Sequence, residues 1–240
     1  MITPFSPIQD QINQYFPPAT HPYRLLERVV EERLTPTSAV LDIGCGREAP
    51  VLAAMRGKAG RLCGIDLVEF TYSGDDIELY PNDVGNIESL ADNSIDLAYS
   101  RSVMEHVPDA QAAFSEIGRV LKPSAQYVFL TPNKYDYVSI IANIVPNKYH
   151  GRIVKVVEGR EEEDVFPTEY QCNTFKDINS LANTHGFHVK RLERLVQYPG
   201  YFSFNRSLFW LGSQYERLLR SSELFSPLRG WIFCIIEKKA

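Results

Sequence analysis

No stretch of the chain reaches the ~18 apolar residues a membrane-spanning helix needs, so a transmembrane segment is not expected. The four cysteines, Cys45, Cys63, Cys172 and Cys234, form neither a CxxC pair nor a zinc spacing. Three of them sit in apolar or strand-like contexts and read as small buried thiols, and a reducing cytoplasm is expected, with no disulfide framework and no metal cluster. Positive charge is also short: 25 Lys and Arg stand against 30 Asp and Glu, for a net charge of −5. The basic footprint of a nucleic-acid binder is therefore missing. Met1-Ile2-Thr3-Pro4-Phe5 lacks a basic segment followed by an apolar one, so no signal peptide is expected and the location follows as cytoplasmic. No internal repeat is visible.

What is present is an ordinary globular composition, 44% hydrophobic and 23% charged over 240 residues. A chain of this length can bury roughly 70–75% of its unfolded surface in one medium domain. The apolar run Val40-Leu41-Asp42-Ile43 ends in Gly44-Cys45-Gly46, and a second run, Leu62-Cys63-Gly64-Ile65, ends in Asp66. Glycines at a strand end let the main chain approach a ligand, since they accept positive φ and carry no Cβ. An acid closing the next strand is placed to hold the hydroxyls of a ribose. An adenosine-containing cofactor is the expectation.

Gly44-Cys45-Gly46-Arg47-Glu48-Ala49 also fits the dinucleotide pattern G-x-G-x-x-G/A, which leaves NAD open. Asp42 points the other way. A carboxylate there repels a pyrophosphate and attracts the ammonium and sulfonium charges of S-adenosylmethionine (SAM). Pro50 and the short segment after it suit a loop around a compact amino-acid tail.

Strand and helix patterns alternate along the chain. A helix is expected over 23–34. Strands follow at 39–43, 61–66, 77–80 and 95–100, then a helix capped by Asp109 and running to about Leu121, then a strand at 126–130. The alternation predicts an α/β fold with a mostly parallel sheet and helices on both faces. A helix at 174–184 and strands at 187–195 and 231–237 come later. Residues 1–20 read as an arm, and 134–173 and 197–230 as additions to a single domain. Leu208, Leu211, Tyr215 and Leu218 fall on one face of a helix. A lid over an apolar acceptor, a membrane-surface contact, a dimer face and plain packing on the sheet all fit that face.

Further motifs follow the glycine turn in order. They are Ser94-Ile95-Asp96-Leu97-Ala98-Tyr99-Ser100, Val103-Met104-Glu105-His106-Val107, Glu116-Ile117-Gly118-Arg119-Val120-Leu121-Lys122-Pro123, and Val128-Phe129-Leu130-Thr131-Pro132-Asn133. From Val40 to Asn133 the chain resembles the class I SAM-dependent methyltransferases, within the group that includes quinone-biosynthesis enzymes. Ser124-Ala125 departs from the glycine pair usual after the proline.

The resemblance implies a Rossmann-like seven-stranded sheet completed by a C-terminal antiparallel hairpin, with SAM as cofactor and a small-molecule acceptor. It implies that Gly44 and Gly46 approach the methionine end, Asp42 holds the ammonium, Asp66 the ribose, and Leu67 lies against adenine. Asn86 stands where the family has an acid for the adenine amino group, with Ile87 beside it and Asp83 competing. Ser100 and Arg101 line the methionine side. His106 is the candidate base, and the same resemblance equally suits a structural Glu105-His106 pair. His150 and Tyr170 are weaker candidates, and His185 and His188 read as surface residues. A non-catalytic SAM-binding module is the other functional reading, and the oligomeric state is open.

Overall fold

The computed structural model describes residues 2–144 and 166–240. Its strands are β1 (Ala39–Ile43), β2 (Arg61–Ile65), β3 (Glu78–Tyr80), β4 (Ile95–Arg101), β5 (Leu121–Pro132), β6 (Phe187–Leu195) and β7 (Trp231–Lys238). They form one seven-stranded sheet in the order β3-β2-β1-β4-β5-β7-β6. β1, β2, β3, β4 and β5 run parallel, and the last two strands close the sheet as an antiparallel hairpin.

All five residues of β1 are buried, as expected of a central parallel strand covered on both faces. The helices are α1 (Ile8–Tyr15), α2 (Pro22–Glu31), α3 (Pro50–Ala53), α4 (Ala110–Val120), α5 (Tyr137–Ile144), α6 (Phe175–Thr184) and α7 (Arg206–Ser221). Asp109 caps α4 through Ala112 N–H, and Thr174 caps α6 through Asp177 N–H. Both caps satisfy amides that the first turn of a helix leaves unpaired.

The described chain divides into two compact units. The first comprises Met1–Leu25, Pro132–Pro167 and Arg194–Trp231, and the second Leu26–Thr131, Thr168–Glu193 and Ile232–Ala240. The arm and the two additions read from the sequence fall almost wholly in the first unit.

The core of the second unit is aromatic at its centre. Phe114 of α4 meets Tyr127, Phe129 and Phe187 edge-on, at centroid distances of 6.5, 6.2 and 6.1 Å. The first unit packs around polar groups. Asp136 and Glu216 are both buried, and Gln197 joins them: its Nε2 donates to Asp136 Oδ1 at 3.0 Å and its N–H to Glu216 Oε2 at 3.1 Å. Tyr137 stacks on Phe202 and meets Tyr215 edge-on.

Three expectations need correction. The arm contains a helix, α1, and Gln11 and Phe16 are buried within its unit. β5 starts at Leu121 rather than 126, running through Pro123, with Ser124 at φ 64° where the resembled family has glycine. The segment after Pro50 is a single helical turn, not a loop.

Candidate functional site

The glycine turn leaves β1 with Gly44 and Gly46 both at φ 75°, left-handed backbone that glycine enters without strain. A Cβ on Gly44 would lie 2.2 Å from Val103 Cγ2, whereas one on Gly46 would meet nothing within 4 Å. Gly44 is thus fixed by packing as well as by φ, and Gly46 faces open space.

The amides of the turn are already used. Gly44 and Cys45 N–H both donate to Ile65 C=O, at 2.8 and 3.2 Å. Gly46 N–H donates to Asp66 Oδ2 at 2.7 Å. With these three committed internally, and α3 only four residues long, Gly44 to Gly46 do not supply the free donors, nor α3 the long dipole, that cradle a pyrophosphate. It offers close approach and negative charge instead, which suits a cationic methionine tail.

Asp66 sits at the end of β2. Its Oδ1 accepts from Leu67 N–H at 2.7 Å and Val68 N–H at 3.3 Å. A carboxylate has about four acceptor positions, so three main-chain donors leave one for a ribose hydroxyl. Taking both hydroxyls requires release of the longest bond, that from Val68. Leu67, next in the chain, is 61% exposed, an apolar side chain open beside this carboxylate.

Asp42 lies in register between Gly64 of β2 and Tyr99 of β4 and is buried. Burial pushes its carboxyl up to about 7, against the opposing pull of the Tyr99 hydroxyl and the Arg101 charge. Tyr99 Oη is itself buried with no hydrogen-bond partner of ordinary length. Tyr99 carries no motif of its own, and only its place opposite Asp42 marks it. Arg101 Nη1 donates to Glu27 Oε1 of α2 at 2.8 Å. Cys45 is buried behind the turn, and burial with the Asp42 and Asp66 charges drives its thiol far up.

Not every candidate presents its side chain. Ser100 Oγ is buried against Tyr127 Oη at 2.6 Å, so its hydroxyl is committed to the sheet. Ile87 is fully buried, its N–H given to Glu116 Oε2 at 2.9 Å and its C=O taking Arg119 Nη2 at 2.8 Å. α4 thus clamps this loop through both main-chain polar groups of Ile87. Asn86 is exposed, with its Nδ2 on Glu88, and Asp83 Oδ1 accepts from Gly85 N–H. Asn86 keeps its carboxamide oxygen as the acceptor an adenine amino group needs.

The Glu105-His106 pair divides in two. Glu105 is buried; Thr131 Oγ1 donates to its Oε2 at 3.2 Å, and Asn173 Nδ2 donates to that same Thr131 oxygen at 2.7 Å. Its C=O accepts from Glu169 and Tyr170 N–H. Glu105 therefore ties β4 and β5 to the segment before α6, a long-range role invisible in the motif. His106 keeps 31% of its side chain exposed, with Nε2 3.9 Å from Glu105 Oε1. Ser102, between β4 and this pair, is held at φ 57°, a strained position of the kind that gathers at functional sites. His150 lies outside the described residues. Among the described residues no cluster of metal-ligating side chains occurs.

The chain matches the family model described as "Methyltransferase domain" over residues 41–129, the glycine turn through β5. Across that stretch the sequence is that of a class I SAM-dependent methyltransferase domain. It is 27% identical over 218 residues to 24-methylenesterol C-methyltransferase 2 of Oryza sativa subsp. japonica, covering 82% of this chain and 57% of that protein. To the Arabidopsis thaliana 24-methylenesterol C-methyltransferase 2 it is 26% identical over 180 residues, 70% of this chain and 46% of that one. The chain thus spans about half the length of these relatives. A SAM-dependent methyltransferase from Mesorhizobium loti shares the fold, with TM-score 0.58 at 17% identity over 90% of this chain and 97% of that one. In a methyltransferase of this class SAM is the cofactor, and the donor-poor, acid-lined turn fits it better than a dinucleotide.

Proposed function

We propose that the chain moves the methyl group of SAM to a small apolar or aromatic acceptor by in-line displacement. The observation that carries this reading is the glycine turn whose amides are spent internally between two acids, Asp42 and Asp66. An acceptor atom forms its bond to the methyl carbon as the carbon–sulfur bond breaks, and the electron pair leaves with sulfur as a neutral thioether. Because the sulfonium is already activated, alignment supplies most of the rate. Asp42 takes the ammonium and Asp66 the ribose, with Leu67 under the adenine and Asn86 at its amino group. The apolar acceptor is supported by the sterol named for the relatives and by the aromatic interior of the first unit.

His106 is the group we assign to proton removal where the acceptor is an O–H or N–H. It is the partly exposed member of a pair whose other member is built into the frame.

Calorimetric titration with SAM, S-adenosylhomocysteine and NAD tests the cofactor, followed by a panel of apolar acceptors. Binding of the first two with turnover of an acceptor is expected; binding of NAD instead overturns the reading, and SAM binding without turnover of any acceptor turns it into a binding module. Asp66→Ala should weaken SAM by about 1–3 kcal/mol, and an unchanged affinity removes the ribose assignment. His106→Ala should lower kcat while leaving SAM affinity in place. If only stability falls, His106 is structural.

A further inference from the structure

Helix α7 carries its apolar stripe on the wrong side for packing. The face it buries holds Phe209, Gly212, Ser213, Glu216 and Leu219, two of them polar and one an acid. Of the apolar face read from the sequence, Tyr215 meets Tyr137, whereas Leu208, Leu211 and Leu218 are exposed at 40, 57 and 52%. Gln11 Nε2 donates to both Ser6 C=O and Arg206 C=O, which draws the chain beside exposed Phe5 up to the start of the helix. Phe204, two residues before α7, is exposed as well. The apolar surface therefore extends beyond the helix at its N-terminal end.

The charges on α7 sort in the same direction. Its exposed ionic residues, Arg206, Arg217 and Arg220, are all cationic, and its acid, Glu216, is buried. Arg217 and Arg220 are steadied over the Tyr15 and Phe16 rings. In a chain of net charge −5, a helix whose exposed residues are leucines and arginines, apart from Ser221 at its end, has a specific partner chemistry. Aliphatic side chains lie in the acyl boundary of a bilayer while arginines meet anionic headgroups. A second copy fits less well, because three half-exposed leucines and two phenylalanines fall short of the ~800 Å² per partner of a stable dimer.

We propose that α7 docks the first unit onto an anionic lipid surface, with Leu208, Leu211 and Leu218 toward the acyl chains and the arginines toward the headgroups. The proposal stands apart from the methyl-transfer reading, since neither vesicle binding nor its loss bears on SAM affinity.

Flotation of the full chain with vesicles of phosphatidylcholine alone, or mixed in equal parts with phosphatidylglycerol, tests it. Binding is expected with the anionic vesicles and should fall when salt is raised. Leu211→Gln with Leu218→Gln should reduce binding roughly tenfold or more, without moving the thermal melt, because both side chains are surface-exposed. Arg206→Glu should remove the preference for the anionic mixture. No flotation of the native chain overturns the proposal, as does equal flotation of the leucine double variant. A dimer in light scattering that the double variant dissociates, without lipid binding, assigns the stripe to self-association instead.

Discussion

The two units obey the rules of protein interiors to different degrees. In the second, large apolar side chains are hidden, and among its described residues Leu67 is the large one left exposed. Its buried polar groups are paired, with Tyr99 Oη as the exception. In the first unit Gln11, Tyr137, Gln214 and Glu216 each have a buried polar atom without a hydrogen-bond partner. Ten of the eleven large apolar side chains exposed among the described residues also belong there. Breaches of packing and pairing cost free energy, so they mark places where a frame serves something besides its own stability. In the second unit the breaches gather at one place, Leu67 beside Asp66 and Tyr99 beside Asp42. In the first they are spread through the unit.

The sharpest test of the rigid frame compares two glycines with the same φ. Gly44→Ala combines a left-handed residue, about 1–2 kcal/mol, with overpacking against Val103, about 1–3 kcal/mol. Gly46→Ala incurs only the first term, since its Cβ would meet open space. Urea unfolding of both variants checks this, and equal losses would mean that the Val103 contact yields freely.

Next in size are the buried acids, one from each unit. Burial pushes Asp42 up to about 7 and Glu216 up to about 8. An acid with a raised pKa binds its proton more tightly in the folded state. It therefore removes stability as pH rises from its unfolded value through the folded one, and the loss is complete above that. The cofactor-free chain should lose a few kcal/mol between about pH 4 and 8 on this account. Asp42→Asn should flatten the part below pH 7, and Glu216→Gln should flatten the part reaching to pH 8. Unfolding at pH 5 and pH 8 reads the difference; curves that stay parallel to the native one would show that these carboxyls are hydrated.

The smallest effect separates two kinds of exposed leucine. Leu67→Ser should leave stability within about 0.5 kcal/mol and weaken SAM roughly fivefold through lost apolar contact with adenine. Calorimetry with the variant decides, and an unchanged affinity would make Leu67 an idle surface residue like any other.

The sheet was legible because β1, β2, β4 and β7 are largely apolar runs whose ends fall at glycine, acid or turn residues, while β6 is marked by Gly186 and the helix before it. α1 was not, because Ile-Gln-Asp-Gln-Ile-Asn-Gln-Tyr is mostly polar, with only Ile8, Ile12 and Tyr15 to mark a face, and is flanked by prolines. β5 was read short because Lys122-Pro123-Ser124-Ala125 has the composition of a turn. At the site, Asp42, Gly44, Gly46 and Asp66 come together as their spacing implies. Ile87 and Ser100 do not present their side chains, because a motif fixes where a residue stands and not what Glu116 or Tyr127 does with its polar atoms. Periodicity likewise identified the leucine face of α7, but the residues that decide its orientation lie outside the helix: Gln197 N–H donates to Glu216, and Phe202 crowds Gly212.

Cys45 gives the glycine turn a reporter of its own. Its sulfur sits behind Gly64, where an added Cβ would approach within 2.6 Å, and its proton is held tightly. Thiol reagents attack the thiolate, so alkylation must await a moment when the turn swings away from β2. Its labelling rate is thus a clock for how often an empty site opens, and a cofactor that latches the turn should slow it.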